Sequence, residues 1–207
     1  MRNRGFILAL VAGLVLGGGV ATLAYSAAAG DPPGFDAAHS DPTIGGAAAF
    51  PDFPLYSPGQ SLEGLPLTGM ARRLEARVAP DTHRANFASF RYGDCTPGND
   101  GGCPAPLEIQ IWPACERNLS SYSLTPFGDP LPHERVTVRG VPAAFFEDGH
   151  RLELYTGSVS VVMFGEGKAQ LLRAAEALQA VNTPDGPGPG EPLPAPAAGA
   201  LEGRLEC

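Results

Sequence analysis

Between Val136 and Met163 apolar residues recur at every second position in short runs, and turn formers cut those runs at similar intervals. Alternation of this kind marks strands with one buried face, and runs this short and close leave room only for hairpins. Glu147-Asp148-Gly149-His150 reads as one turn, because Asp-Gly tolerates the positive φ angles of a two-residue hairpin loop. It pairs Phe145 with Leu152 and Ala143 with Leu154. A turn at Thr156-Gly157 pairs Leu154 with Val159 and Leu152 with Val161. A third, Arg139 to Pro142, pairs Val138 with Ala143 and Val136 with Phe145. The three registers, assigned separately, put Val136, Val138, Ala143, Phe145, Leu152, Leu154, Val159, Val161 and Met163 on one face. A slip of one residue in any strand would turn its side chains to the other face. The segment is therefore expected to be a four-stranded antiparallel meander.

Glu166 to Ala180 follows with Leu171, Leu172, Ala175 and Leu178 at helical spacing, so a helix is expected to cover the apolar face. Upstream, Asn86–Tyr92 and Leu107–Trp112 read as a hairpin, with Leu107, Ile109 and Ile111 on one side. The expected class is α+β: an antiparallel β-meander covered by a C-terminal helix.

The ends of the chain read differently. Residues 1–30 carry Arg2 and Arg4 and then a charge-free stretch from Gly5 to Gly30. Its most apolar part, residues 6–25, would span about 30 Å as a helix, enough for one N-terminal transmembrane helix. Two arginines before it favour a cytoplasmic amino end and an extracytoplasmic remainder. The competing reading is a signal peptide cleaved near Ala27-Ala28-Ala29 and a secreted product. Residues 31–50 are rich in Ala, Gly, Asp and Pro and read as a linker. Residues 51–182 have the length of one domain. Residues 183–207, dense in Pro and Gly, read as a disordered tail.

The formal charge is −8, while residues 51–182 hold fifteen Asp/Glu against eleven Lys/Arg. An acidic balance without a basic stripe argues against nucleic acid. Cys95 and Cys103 bracket the turn-rich CTPGNDGGC between the two upstream strands, and a disulfide is expected to close the mouth of that loop. Cys115 is left to pair with either of these or to stay free, and Cys207 to link molecules. No C-x2-C pair or histidine at ligand spacing points to a metal, and no cofactor is implied.

The stretch from Val136 to Asn182 resembles the end of a family of bacterial extracytoplasmic domains found after the membrane segment of anti-sigma-factor-like and lipoprotein-carrier-like proteins. The shared pattern falls on Val136, Val138, Gly140, Leu154, Tyr155, Ala175 and Leu178. The earlier piece, YGDCTPGNDGGCPAPLEIQIWPACERN, is similar to membrane-anchored proteins of GC-rich actinobacteria. The resemblance implies a location and a fold, and carries over no catalytic residue.

Standard catalytic constellations are missing. Phe164 to Lys168 falls between strand and helix like a phosphate-binding loop, but that pattern needs Gly at Val162 and Ser or Thr at Ala169. No serine sits in G-x-S-x-G, and the histidines are scattered. The second sheet face carries Phe146, Arg151, Glu153 and Tyr155, and aromatics beside charges suit a binding surface. The competing reading packs Phe146 and Tyr155 under the Asn86–Trp112 hairpin as core. The expected function is non-catalytic: a membrane-anchored extracytoplasmic domain that binds or senses an envelope protein or a small ligand. The alternatives are a secreted small-ligand-binding protein and a thiol-dependent enzyme using Cys115.

Overall fold

The computed structural model describes residues 42–76, 84–95, 104–122, 131 and 133–207. The leader, the first part of the linker and Cys103 lie outside the described residues. Among the described residues no helix is long and apolar enough to cross a membrane.

A short helix, α1 (Ile44–Ala47), precedes β1 (Tyr56–Ser57), β2 (Ser61–Leu62), β3 (Leu65–Ala76), β4 (Arg84–Tyr92) and β5 (Leu107–Pro113). The single turn α2 (Leu119–Tyr122) leads to β6 (Glu134–Val138), β7 (Val141–Phe146), β8 (Arg151–Thr156) and β9 (Val159–Gly165). Helix α3 (Lys168–Ala177) and β10 (Gln179–Ala180) follow. Eight strands form one antiparallel sheet in the order β2-β3-β4-β5-β9-β8-β7-β6, and β1 with β10 forms a separate pair. The class is α+β, with the expected meander in β6–β9.

The turn chemistry explains the registers. Asp148 (φ 54°) and Gly149 (φ 92°) supply the positive φ angles, His150 N–H closes the turn on Glu147 O at 3.0 Å, and Phe145 faces Leu152 as expected. The other two turns differ from expectation. Arg139 (φ 49°) and Gly140 (φ 83°) form the β6–β7 turn, so Val136 faces Ala143 and Val138 faces Val141. Gly157-Ser158 forms the next, so Leu154 faces Val161 and Leu152 faces Met163. Both registers slip by two residues. Because side chains alternate with period two, such a slip leaves the face unchanged, and the core membership expected from sequence survives.

That face is the main core. Leu152, Leu154, Val161 and Met163 are fully buried beside Phe90, Leu107, Ile109 and Ile111, and Leu171, Ala174, Ala175 and Leu178 close over them. The helix is shorter than expected, and Leu172 points outward at 39 % exposure. Gly167 opens α3 without a side-chain cap, while the Gln170 side chain accepts the Glu166 N–H at 2.7 Å. That bond marks the Gly165–Gly167 segment as a polar strand-to-helix turn.

Both flanking segments depart from the sequence expectation where they are described. Residues 42–50 are not a loose linker: Ala47 and Phe50 are buried in the core, and Gln60 bonds both Ile44 N–H and Pro42 O. Residues 183–207 are not a disordered tail. Leu193 is buried and donates its N–H to Arg139 O at 3.0 Å, while Ala197 N–H reaches Gly157 O at 2.7 Å. Thr156 Oγ1 and Gly157 N–H both donate to Pro194 O. Backbone groups at the sheet's turns thus find partners in this strap, which composition alone hides. Asn182 joins the two ends of the fold, accepting Leu55 N–H at 2.7 Å and donating to Phe50 O and Phe53 O.

On β4, the Tyr92 hydroxyl is buried, donates to Gly59 O at 3.0 Å and sits 2.6 Å from Ser57 Oγ. Burial pushes its pKa up to about 12. An unfolded phenol ionises near 10.0, so the folded state holds a proton that the unfolded state has lost. This contribution is complete below about pH 10 and is lost as pH rises toward 12. Burial raises Tyr56 in the same direction. Tyr92→Phe is expected to cost about 1 kcal/mol at pH 7. It should also flatten the loss of stability above pH 10 in urea titrations run at pH 9, 10 and 11.

Candidate functional site

The second face of the sheet holds the four residues singled out from sequence, and the structure brings them together. Odd positions of β8 and even positions of β9 point away from the core, which sets Arg151, Glu153 and Tyr155 opposite Phe164, Val162 and Ser160. The residues do not form an open surface. Glu153 is 0 % exposed, and Phe146 and Tyr155 are each 2 % exposed. The Asn86–Trp112 hairpin is not the lid considered from sequence. Strand β5 pairs edge to edge with β9, Ile109 opposite Met163, so the hairpin widens the sheet.

Part of the cover comes from the segment after β5. Glu116 and Arg117 N–H both bond Pro113 O at 3.0 Å, turning the chain back, and Ser160 Oγ donates to Arg117 O at 2.7 Å. The Arg117 guanidinium lies over the Trp112 ring, 5.4 Å from its centroid, and its Nη2 pairs with Glu153 Oε1. Arg151 approaches the same oxygen through Nε at 3.2 Å and donates Nη1 to Glu147 at 2.5 Å. Tyr155 O–H donates to Glu153 Oε2 at 3.2 Å. One buried carboxylate therefore collects two guanidiniums and a phenol. Burial first, and the Glu153 charge second, push the Tyr155 pKa far above its ordinary value. Such a phenol stays protonated and serves as a donor. The arrangement suits rigid charge pairing.

Beside this cluster the same face carries Phe87 stacked on Trp112 at 4.1 Å. A polar ladder runs next to them, from Trp112 Nε1 to Gln110, Gln110 to Glu108, and Ser89 to Glu108.

An opening exists at the edge of the predicted face. A cleft of about 350 Å³ is lined by His133, Glu134, Phe145, Phe146, Asp148 and Lys168. Two buried phenylalanines lie behind its wall: His133 stacks on Phe146 at 5.3 Å, and Lys168 Nζ lies 5.4 Å from the Phe145 ring. Lys168 pairs with Glu134 on the rim, and both side chains are about half exposed. A second opening of about 400 Å³, lined by Pro104, Pro106, Glu147, His150, Phe164 and Glu166, lies on the other side of the Glu147–His150 turn. Among the described residues no group of His, Cys, Asp and Glu is placed to hold a metal ion.

The cysteines depart from expectation. Cys115 is bonded to Cys207, with Cα atoms 5.3 Å apart and 92 residues between them. Cys115 is thus neither free nor a partner of Cys95 or Cys103, and Cys207 closes a loop within the molecule. Cys95 is disulfide-bonded as well, and its expected partner Cys103 lies outside the described residues. Four cysteines make an even count, so the expected Cys95–Cys103 bridge would itself have left Cys115 and Cys207 to each other. The assumption of a disordered tail hid that. Arg117 had no sequence signal, since nothing in the pattern ties a loop arginine to Glu153.

No family model, curated protein or solved structure matches this chain.

Proposed function

We propose that the chain is a non-catalytic binding domain exported from the cytoplasm and tethered to the membrane through residues 6–25. In that role it is akin to the bacterial extracytoplasmic domains its Val136–Leu178 pattern resembles. The observation that carries the binding part is the cleft between the start of β6, the end of β7 and Lys168, to which Phe146 alone of the four residues singled out from sequence contributes. A largely polar lining, with Lys168 on the rim, Glu134 and Asp148 beside it and the buried Phe145 and Phe146 behind, suits a small ligand with a charged head. The Cys115–Cys207 and Cys95 disulfides support export, because such bonds persist outside the cytoplasm. Catalysis by a Cys115 thiol is the weaker reading, since that sulfur is held in a disulfide.

Two measurements test this. Fractionation should find the full chain in the membrane pellet, and recovery in the medium would favour the secreted alternative. Screening small aromatic acids and amines by NMR against the full chain should give shifts clustered at Phe145, Phe146 and Lys168. For the acids, those shifts should weaken about tenfold or more in apparent affinity with Lys168→Glu, while the amines should bind no more weakly. Shifts that cluster elsewhere, or acid shifts that ignore the substitution, would overturn the assignment of the cleft.

A further inference from the structure

We propose that the Cys115–Cys207 disulfide is a reversible clasp, opened by a dithiol reductant, that controls the order of the segment holding Arg117. The placement of the bond carries this. Cys207 is exposed and Cys115 is half-buried, so a reductant can reach the sulfur of Cys207 without unfolding the sheet. From residue 198 onward the strap meets the Cys115–Ser120 stretch at three places. Ser120 N–H reaches Leu201 O at 3.4 Å, Asn118 lies directly against Gly203, and Cys115 takes Cys207. A Cβ at Gly203 would come within 2.9 Å of Asn118 Nδ2, which shows how closely the two segments meet. Between these attachment points sits Arg117, whose guanidinium meets the buried Glu153. The contact with Leu201 is long for a hydrogen bond, so the covalent link is the strongest of these attachments.

The chemistry balances as thiol–disulfide exchange. A thiolate of the dithiol attacks Cys207 Sγ, the Cys115–Cys207 bond breaks, and Cys115 leaves as a thiolate that takes up a proton. The second thiol of the donor then attacks the donor sulfur of the mixed disulfide. Cys207 is released as a thiol, the donor leaves as a disulfide, and two electrons have passed to the protein. The strap upstream of Ala197 stays on the sheet through Leu193, Pro194 and Ala197, so release is confined to residues 198–207 and loosens the Cys115–Ser120 stretch, which keeps the bonds of Arg117 to Pro113, Ser160 and Glu153.

Dithiothreitol added to the folded full chain, followed by alkylation and mass mapping, tests this. Cys115 and Cys207 should be labelled while circular dichroism of the sheet is unchanged. Amide exchange in residues 115–120 should rise about tenfold or more, with residues 152–163 unaffected. Cys207→Ser should reproduce the exchange change without reductant. If labelling begins only at denaturant concentrations that unfold the sheet, the bond is a permanent staple and the proposal fails. Reduction that leaves exchange at 115–120 unaltered overturns it equally, and that result does not depend on how the variant folds.

Discussion

Arg117→Met is expected to destabilise the domain by about 3–5 kcal/mol, the usual cost of breaking one partner out of a buried ion pair. The side chains of Arg117 and Glu153 are 7 % and 0 % exposed. Removing the guanidinium leaves Glu153 with Arg151 and Tyr155, in a place where water cannot replace what was lost. Most of the penalty belongs to the stranded carboxylate and not to the attraction itself. The double variant Arg117→Met/Glu153→Met should therefore regain much of the loss. Urea unfolding of the two single variants and the double variant measures this directly. Three curves that coincide with the parent would mean that the carboxylate is hydrated in solution.

Arg139→Met is the second large effect, at about 2–4 kcal/mol. The guanidinium donates to Leu178 O at 2.6 Å and Ala175 O at 3.2 Å, where α3 ends, and to Gly188 O at 2.5 Å and Glu191 O at 2.6 Å on the strap. Helix α3 has no basic residue in its own last turn. Arg139 supplies from the β6–β7 turn the positive charge that the helix C-terminus favours. Partial burial lowers its pKa, while the Glu176 and Glu191 carboxylates act in the opposite direction. Arg139→Lys should rescue little, because an ammonium lacks the fork that spans separate carbonyls. Arg139→Gly separates backbone from side chain: it relieves the positive φ of 49° yet loses every guanidinium bond. A glycine variant as stable as the parent would show that the turn strain, and not the bonds, dominates. Limited proteolysis between Gly186 and Leu193 should accelerate in the methionine variant.

The meander was legible because two physical rules agreed. Asp148-Gly149 announced a turn, and alternation then fixed which side chains face inward. The two registers that slipped did so at Arg139-Gly140 and Gly157-Ser158, where the turn begins one residue away from the sequence assignment. Arg139 is a poor candidate for a positive φ angle on propensity alone, and only its bonds to α3 and the strap explain it. The strap itself was illegible for a related reason. Its Pro and Gly residues form no periodic pattern, and their order comes from carbonyls and amides that meet Thr156, Gly157 and Arg139 from far along the chain. The second face was half legible. Alternation identified Phe146, Arg151, Glu153 and Tyr155 as neighbours, but whether a face is covered depends on loops, and loops such as Pro113–Asn118 carry no periodicity to read.

The strand order has a kinetic consequence. Strands β2 to β5 are neighbours in sequence and in space, and so are β6 to β9, so each half can zip up through short-range contacts. The β5–β9 seam is different, because Leu107 must find Gly165 and Pro113 must find Val159. Closing that seam is the slow search, and until it completes each half carries a raw apolar edge, Ile109 and Ile111 on one and Val161 and Met163 on the other. Self-association during refolding should concentrate there, and a charge placed on that seam would trade aggregation for failure to close.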